Sequence, residues 1–235
     1  MRVLMICMFV SGWLALLSGH AAAQPGTDAA PATCGVDIDD QKADAVEAAC
    51  LLEFAKRASR KGDRLTLRLE NGASKVYRSD PKACAADDVQ KCTYYRFVGY
   101  HAKAQAYSIA IQYYEGRGVE LVSARTGNVL RLSGTPYFSA DGSRFIVIDN
   151  DYAYGGPYDL AIGSTANSSF ALEWQQESKE GPLEWRLQRW IDNDRIALRV
   201  FPAETGQKCP ANDCDAILLR FQNSWALRRL PAKQQ

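Results

Sequence analysis

Tyr137-Phe138-Ser139-Ala140-Asp141-Gly142-Ser143-Arg144-Phe145-Ile146-Val147 is the stretch whose reading decides the fold. Thr135 to Ser139 reads as an extended entry and Asp141-Gly142-Ser143 as a hairpin turn, since Asp-Gly tolerates positive φ. Arg144 to Ile148 then reads as a strand apolar on both faces. Working outward, Pro157 to Ile162 is a third strand and Phe170 to Trp174 a fourth.

The same four-strand phrase recurs on both sides. Glu184 to Trp190, Arg195 to Val200, Ala216 to Phe221 and Trp225 to Leu230 repeat it downstream, around an Asp192-Asn193-Asp194 turn. Upstream, Tyr94 to Tyr100, Ala106 to Tyr114, Val119 to Val122 and Val129 to Leu132 give another set. Three units therefore cover 94–134, 136–177 and 184–231. The pair at 65–79, turning at Asn71-Gly72, reads as the last two strands of a fourth. Antiparallel four-strand units of about 40 residues are the size of propeller blades.

The phrase from Tyr137 to Val147 resembles the S-x-D-G-x-x-[apolar] phrase of the WD40-like repeat in TolB-type periplasmic β-propellers. Thr126-Gly127-Asn128 resembles the T-G-x turn between the outer strands of such blades. The resemblance is clear over 135–148, and it implies a binding scaffold without implying TolB's own partners. The expected fold is all-β with one N-terminal helix, a propeller-like array of about three and a half four-stranded antiparallel units. Closed propellers have at least four blades, so the helix is expected to cover the gap or protect an edge strand.

That helix is expected over 37–60, within a single domain at 37–235. Asp39 or Asp40 can cap it, and Lys56, Arg57 and Arg60 suit its last turn. Ala43, Val46, Ala49, Cys50, Leu52 and Phe54 fall on one face, and Lys61-Gly62-Asp63 is expected to end the helix. Residues 24–36, rich in Ala, Pro, Gly and Thr, read as a flexible leader.

Before the leader, 1–23 has the layout of a secretory signal peptide. Arg2 precedes an apolar run from Val3 to Leu17, and Ala21-Ala22-Ala23 offers a cleavage site. The run is shorter than the roughly 20 residues a membrane span needs. A periplasmic or secreted protein, with no stable membrane insertion after cleavage, is expected. Six cysteines then remain: Cys34, Cys50, Cys84, Cys92, Cys209 and Cys214. In an exported chain they suggest three disulfides. Six cysteines allow fifteen pairings. Cys84–Cys92 and Cys209–Cys214 each bracket a turn-rich loop, which leaves Cys34–Cys50.

The charge balance narrows the partners. Lys plus Arg is 28 and Asp plus Glu 27, a net charge of +1. No dense basic block points to nucleic acid or to a polybasic membrane patch. After cleavage His101 is the remaining histidine, read as a solvent-exposed turn residue, so no Ser-His-Asp or Cys-His arrangement is expected. No C-x-x-C pair, H-E-x-x-H, G-x-S-x-G, Walker or G-x-G-x-x-G motif appears. No cofactor and no metal is expected. Ile148 to Asp151 and Ile191 to Asp194 share the letters Ile-Asp-Asn-Asp, and Asp149, Asp151 and Asp159 carry calcium-type oxygens. Asp and Asn bonding their own backbone in turns account for both copies more simply.

Asp151-Tyr152-Ala153-Tyr154-Gly155-Gly156-Pro157-Tyr158 is the most distinctive surface candidate. Tyrosine gives large contact area at low entropy cost and a hydroxyl to spare. Tyr152, Tyr154 and Tyr158, with Asp149, Asp151 and Asp159 alongside, are the candidate binding residues for a protein or glycan. Tyrosines packed over a sheet edge are the plainer alternative. The functional expectation is an exported, non-enzymatic binding protein of the bacterial envelope. A carboxylate-dependent glycan hydrolase and a structural envelope protein are the alternatives.

Overall fold

The computed structural model describes residues 34, 42–151, 153, 156–166, 169–177, 183–202 and 214–230. Among the described residues the fold is all-β apart from α1 (Ala43–Glu53) and the short α2 (Pro81–Ala85). The first sheet has three strands, β1 (Ala58–Lys61), β2 (Arg64–Arg68) and β3 (Ser74–Arg78), in spatial order β1-β2-β3. The second is the meander β4 (Thr93–His101), β5 (Ala106–Tyr113), β6 (Arg117–Ser123) and β7 (Val129–Leu132). β8 (Thr135–Phe138), β9 (Arg144–Ile148), β10 (Leu160–Ser164) and β11 (Ala171–Gln176) form the third. The fourth is β12 (Leu183–Asp192), β13 (Arg195–Pro202), β14 (Asp215–Phe221) and β15 (Ser224–Arg229). All pairs are antiparallel, and the three complete sheets match the expected units strand for strand.

The sheets stack face to face in chain order, as propeller blades do. Leu65, Leu67 and Tyr77 of the first pack on Phe97, Tyr107 and Ile109 of the second. Val119, Leu121 and Leu132 of the second meet Phe145, Val147 and Ala161 of the third. Ile146, Leu160 and Ile162 of the third meet Trp185, Ile196 and Leu218 of the fourth. This explains why β5 and β9 are apolar on both faces: each lies in a middle sheet, covered on two sides. Among the described residues, no buried cluster joins the fourth sheet to the first. One polar pair is buried between the first two sheets. The Tyr77 hydroxyl donates to Glu120 at 2.7 Å, and Arg131 Nε donates to the same carboxylate at 3.1 Å. Burial, then the Glu120 contact, pushes the Tyr77 hydroxyl's pKa up.

The helix differs from expectation at its C-terminal end. It stops at Glu53, and Ala58–Lys61 is a strand. Gly62-Asp63 is the turn of a hairpin in which Lys61 pairs with Arg64 and Ala58 with Leu67. Pairing buries Ala58 and turns Arg60 back toward α1, and this tertiary gain overrides local helix propensity. Arg60 donates to Glu47 from Nε at 2.9 Å and from Nη2 at 2.7 Å. The inward stripe is accordingly Ala43, Glu47 and Cys50, while Leu52 is 79% exposed. Asp39 and Asp40, the expected caps, lie outside the described residues.

The helix also does what an edge requires. β4 borders the second sheet, and its outward backbone groups would otherwise be unpaired. Glu47 accepts from Phe97 N at 2.7 Å, Cys34 N donates to Val98 O at 2.6 Å, and Asp44 pairs with Arg96. Further along, Ser79 Oγ accepts from Tyr95 N at 3.0 Å, and Asp80 N donates to Thr93 O at 2.8 Å. Cys34–Cys50 and Cys84–Cys92 are both bonded, with Cα–Cα distances of 5.8 and 4.4 Å. Cys214 is also oxidised, and its expected partner Cys209 lies outside the described residues.

His101 is not an exposed turn residue. It ends β4, half-buried, with its ring stacked on Phe138 at 4.3 Å and Nε2 3.2 Å from Ser108 Oγ. It thus helps seat the third sheet on the second. The Asp-Gly turn of the third sheet does the same at Gly142. There φ is +74°, and a Cβ would come within 2.7 Å of Lys103 Cβ and 2.8 Å of Ala104 N. Only glycine meets both demands.

Asp141 in that turn anchors the fourth sheet. It accepts from Ser139 Oγ, Ser143 N and Ser143 Oγ at 2.8 to 2.9 Å, and from Asn193 Nδ2 at 2.6 Å. Burial opposes ionisation, but these bonds outweigh it and hold the carboxyl at about 2. Glu173 is lowered too, because bonds from Trp225 and Arg144 and the charge of Arg220 outweigh its burial. A carboxyl whose folded pKa lies below its unfolded value contributes stability above the unfolded value and loses it as pH falls. Thermal melts should therefore show a fall in stability between pH 4 and about 2. Asp141→Asn should lower the melting temperature at neutral pH and flatten that acid slope; an unchanged slope would remove Asp141 from the account.

Candidate functional site

The loop joining β9 to β10, residues 149–159, is built on its own backbone. Asp149, only 7% exposed, sits where β9 ends. Its Oδ1 accepts from Asp151 N at 3.0 Å and its Oδ2 from Gly156 N at 2.8 Å. One carboxylate thus holds Asp151 and Gly156 together and reaches seven residues along the chain to do so. Asp149 N donates to Asp159 O, and Asp159 N to Gln176 O, each at 2.9 Å. These bonds continue the strand ladder to the mouth of the loop.

Neighbouring sheets hold the loop from both sides. The Asn150 side-chain amide donates to Trp185 O at 3.0 Å and accepts from Trp185 N at 2.9 Å, which ties it to β12 of the fourth sheet. Toward the second sheet, Arg117 Nε lies 3.9 Å from Asp151 Oδ2, and Asp151 Oδ1 accepts from Ala153 N at 3.2 Å. Gly156 lies against Ser133, whose Oγ would be 3.0 Å from a Cβ there, so a side chain would part the loop from the strap between β7 and β8.

The candidate residues separate into distinct roles. Tyr158 is 6% exposed and packs with Val119, Leu121, Phe145 and Val147. Its hydroxyl accepts from Ser133 N at 3.3 Å. It is a core residue that supports the loop and presents no ring to solvent. Asp149 gives each carboxylate oxygen to a loop N–H group, which suits an anchor. Asp151 is partly buried beside Arg117, and Asp159 contributes its backbone to the mouth of the loop. Ala153 is exposed; Tyr152 and Tyr154 on either side of it lie outside the described residues.

Among the described residues, no group of three or more His, Cys, Asp or Glu side chains is placed to hold a metal ion. The shared Ile-Asp-Asn-Asp letters have a common backbone meaning instead. Asp149 accepts from Asp151 N, and Asp192 accepts from Asp194 N, both at 3.0 Å. Each first aspartate bonds the N–H two residues on, an Asx turn.

Sequence reasoning missed Asn150, Arg117 and Ser133. Asn150 carries the loop's bond to the next sheet, yet its letter reads only as a turn former. Arg117 and Ser133 are remote in sequence and arrive through the stacking of the second sheet on the third. No family model, curated protein or solved structure matches the chain.

Proposed function

We propose that this chain is an exported, non-catalytic binding protein whose recognition surface is the tyrosine loop at 151–158, directed at a protein or glycan partner. The observation that carries the reading is the closure of the loop by Asp149 onto Asp151 and Gly156, with Asn150 clamped to Trp185. A loop framed in this way lowers the ordering cost of binding. The chain places Tyr152 and Tyr154 between the two framed points. Disulfides at Cys34–Cys50 and Cys84–Cys92 support export. Cleavage after Ala23 and a periplasmic or secreted location belong to the same proposal.

The test is capture of a partner from envelope extract with the mature protein, followed by titration of Tyr152→Ala and Tyr154→Ala. Each substitution should leave the melting temperature unchanged and cost more than about 1 kcal/mol in binding, as hot-spot aromatics do. A large loss of stability with binding intact would make both rings core residues like Tyr158. Failure to capture any partner would favour the structural envelope reading.

A further inference from the structure

The first sheet has one face in the core and one in water, and its outer face is built almost wholly of cations and hydroxyls. Leu65, Leu67 and Tyr77 point inward, so the alternate residues point outward. Lys61 pairs with Arg64, and Arg64 with Arg78, so three exposed cations stand in one row across three strands. Strands lie about 4.8 Å apart, which puts the row within about 10 Å. Arg68, also exposed, stands two places beyond Thr66 on β2, about 13 Å from Arg64. None of these four has an ion-pair partner among the described residues, unlike Arg60, which Glu47 takes. The strands place no acid on this face; Asp63 lies in the turn that closes β1 onto β2.

Like charges directly opposite in a sheet repel and destabilise it. A row of three costs the fold unless an anion neutralises it. Between the cationic row and Arg68 lie the Ser59 and Thr66 hydroxyls, paired across β1 and β2, with Val76 beside them. We propose that this outer face binds an acidic polysaccharide, its carboxylate or sulfate groups on Lys61, Arg64, Arg78 and Arg68 and its sugar hydroxyls on Ser59 and Thr66. The strands put no aromatic ring there for a base to stack on. Val76 is the one aliphatic side chain that the three strands put on that face, too little to enter a bilayer. Charge and hydroxyls together therefore favour a polyanionic sugar chain over a nucleic acid strand or a membrane. This surface is separate from the tyrosine loop, and either proposal can fail without the other.

The experiment uses the oxidised mature protein and polygalacturonate as probe, with neutral dextran, duplex DNA and anionic phosphatidylglycerol vesicles as competitors. Polygalacturonate should bind at low salt and weaken as salt rises. Lys61→Ser, Arg64→Ser and Arg78→Ser together should reduce affinity about tenfold or more, while the melting temperature stays the same or rises as the repulsion is removed. Arg64→Lys with Arg78→Lys should retain binding. Removing three charges from the fourth sheet, with Arg186→Ser, Arg195→Ser and Arg228→Ser, should leave affinity unchanged. An equal loss from that control overturns the proposal. So does competition by dextran, or tighter binding to DNA or vesicles than to polygalacturonate, and these comparisons on the unaltered protein decide the matter even where a triple variant folds poorly.

Discussion

Glu47→Ala is expected to destabilise the protein by about 3–5 kcal/mol, the range for removing one partner of a buried ion pair. Glu47 is 2% exposed, and its carboxylate meets three demands at once. It takes two donors of Arg60 and the backbone N–H of Phe97. Deleting it leaves a partly buried guanidinium beside the first sheet, where the buried Arg60 Nη1 is already without a partner. It also leaves an orphan N–H on the outer edge of β4. Glu47→Gln keeps an acceptor for Phe97 and should cost less. Glu47→Leu combined with Arg60→Met removes both charges together and should recover much of the loss, because the penalty lies in the unpaired survivor. Denaturant unfolding should show a lower midpoint for Glu47→Ala at unchanged slope. A loss below about 1 kcal/mol would mean that water reaches Arg60 and the helix covers the edge only loosely.

The same residue marks where the sequence could and could not be read. Strand phase was legible because Asp141-Gly142 and Thr126-Gly127 are turns whose backbone demands show in the letters. Alternation on either side then set which residues face which sheet. The end of the helix was not legible. Ala58-Ser59-Arg60-Lys61 carries no apolar alternation, and it becomes a strand because Leu65 and Leu67 need a paired neighbour. Nor was the helix face: counting apolar letters selects Leu52, whereas the buried position belongs to Glu47 through partners 13 and 50 residues away. In the loop, Tyr158 looks like Tyr152 and Tyr154 in the sequence, and only the stacking of the second sheet on the third makes it core. The cationic face was hidden for the same kind of reason. Its members at 61, 64, 68 and 78 form no block along the chain, and strand register assembles them.

Trp185 is where the core and the loop share a support, and its substitutions should separate the two. The ring is 1% exposed between the third and fourth sheets, among Ile146, Leu160, Ile162 and Leu198. Trp185→Ala should cost about 3–5 kcal/mol, since neighbouring sheets cannot collapse fully into the space left. The indole N–H, however, has no hydrogen-bond partner, and an unsatisfied buried donor costs about 1–3 kcal/mol. Trp185→Phe removes that donor and keeps a ring for the core, so the relief offsets part of the lost volume. Its cost should be less than half that of the alanine variant. The loop responds differently, because Asn150 grips the backbone of residue 185 and not its side chain. If the loop has the proposed binding role, the phenylalanine variant should therefore retain partner binding in full, while the alanine variant, by letting β12 shift in the cavity, should weaken it along with stability. Equal destabilisation by Phe and Ala would show that the indole N–H is satisfied in solution and that the ring's second lobe carries the packing.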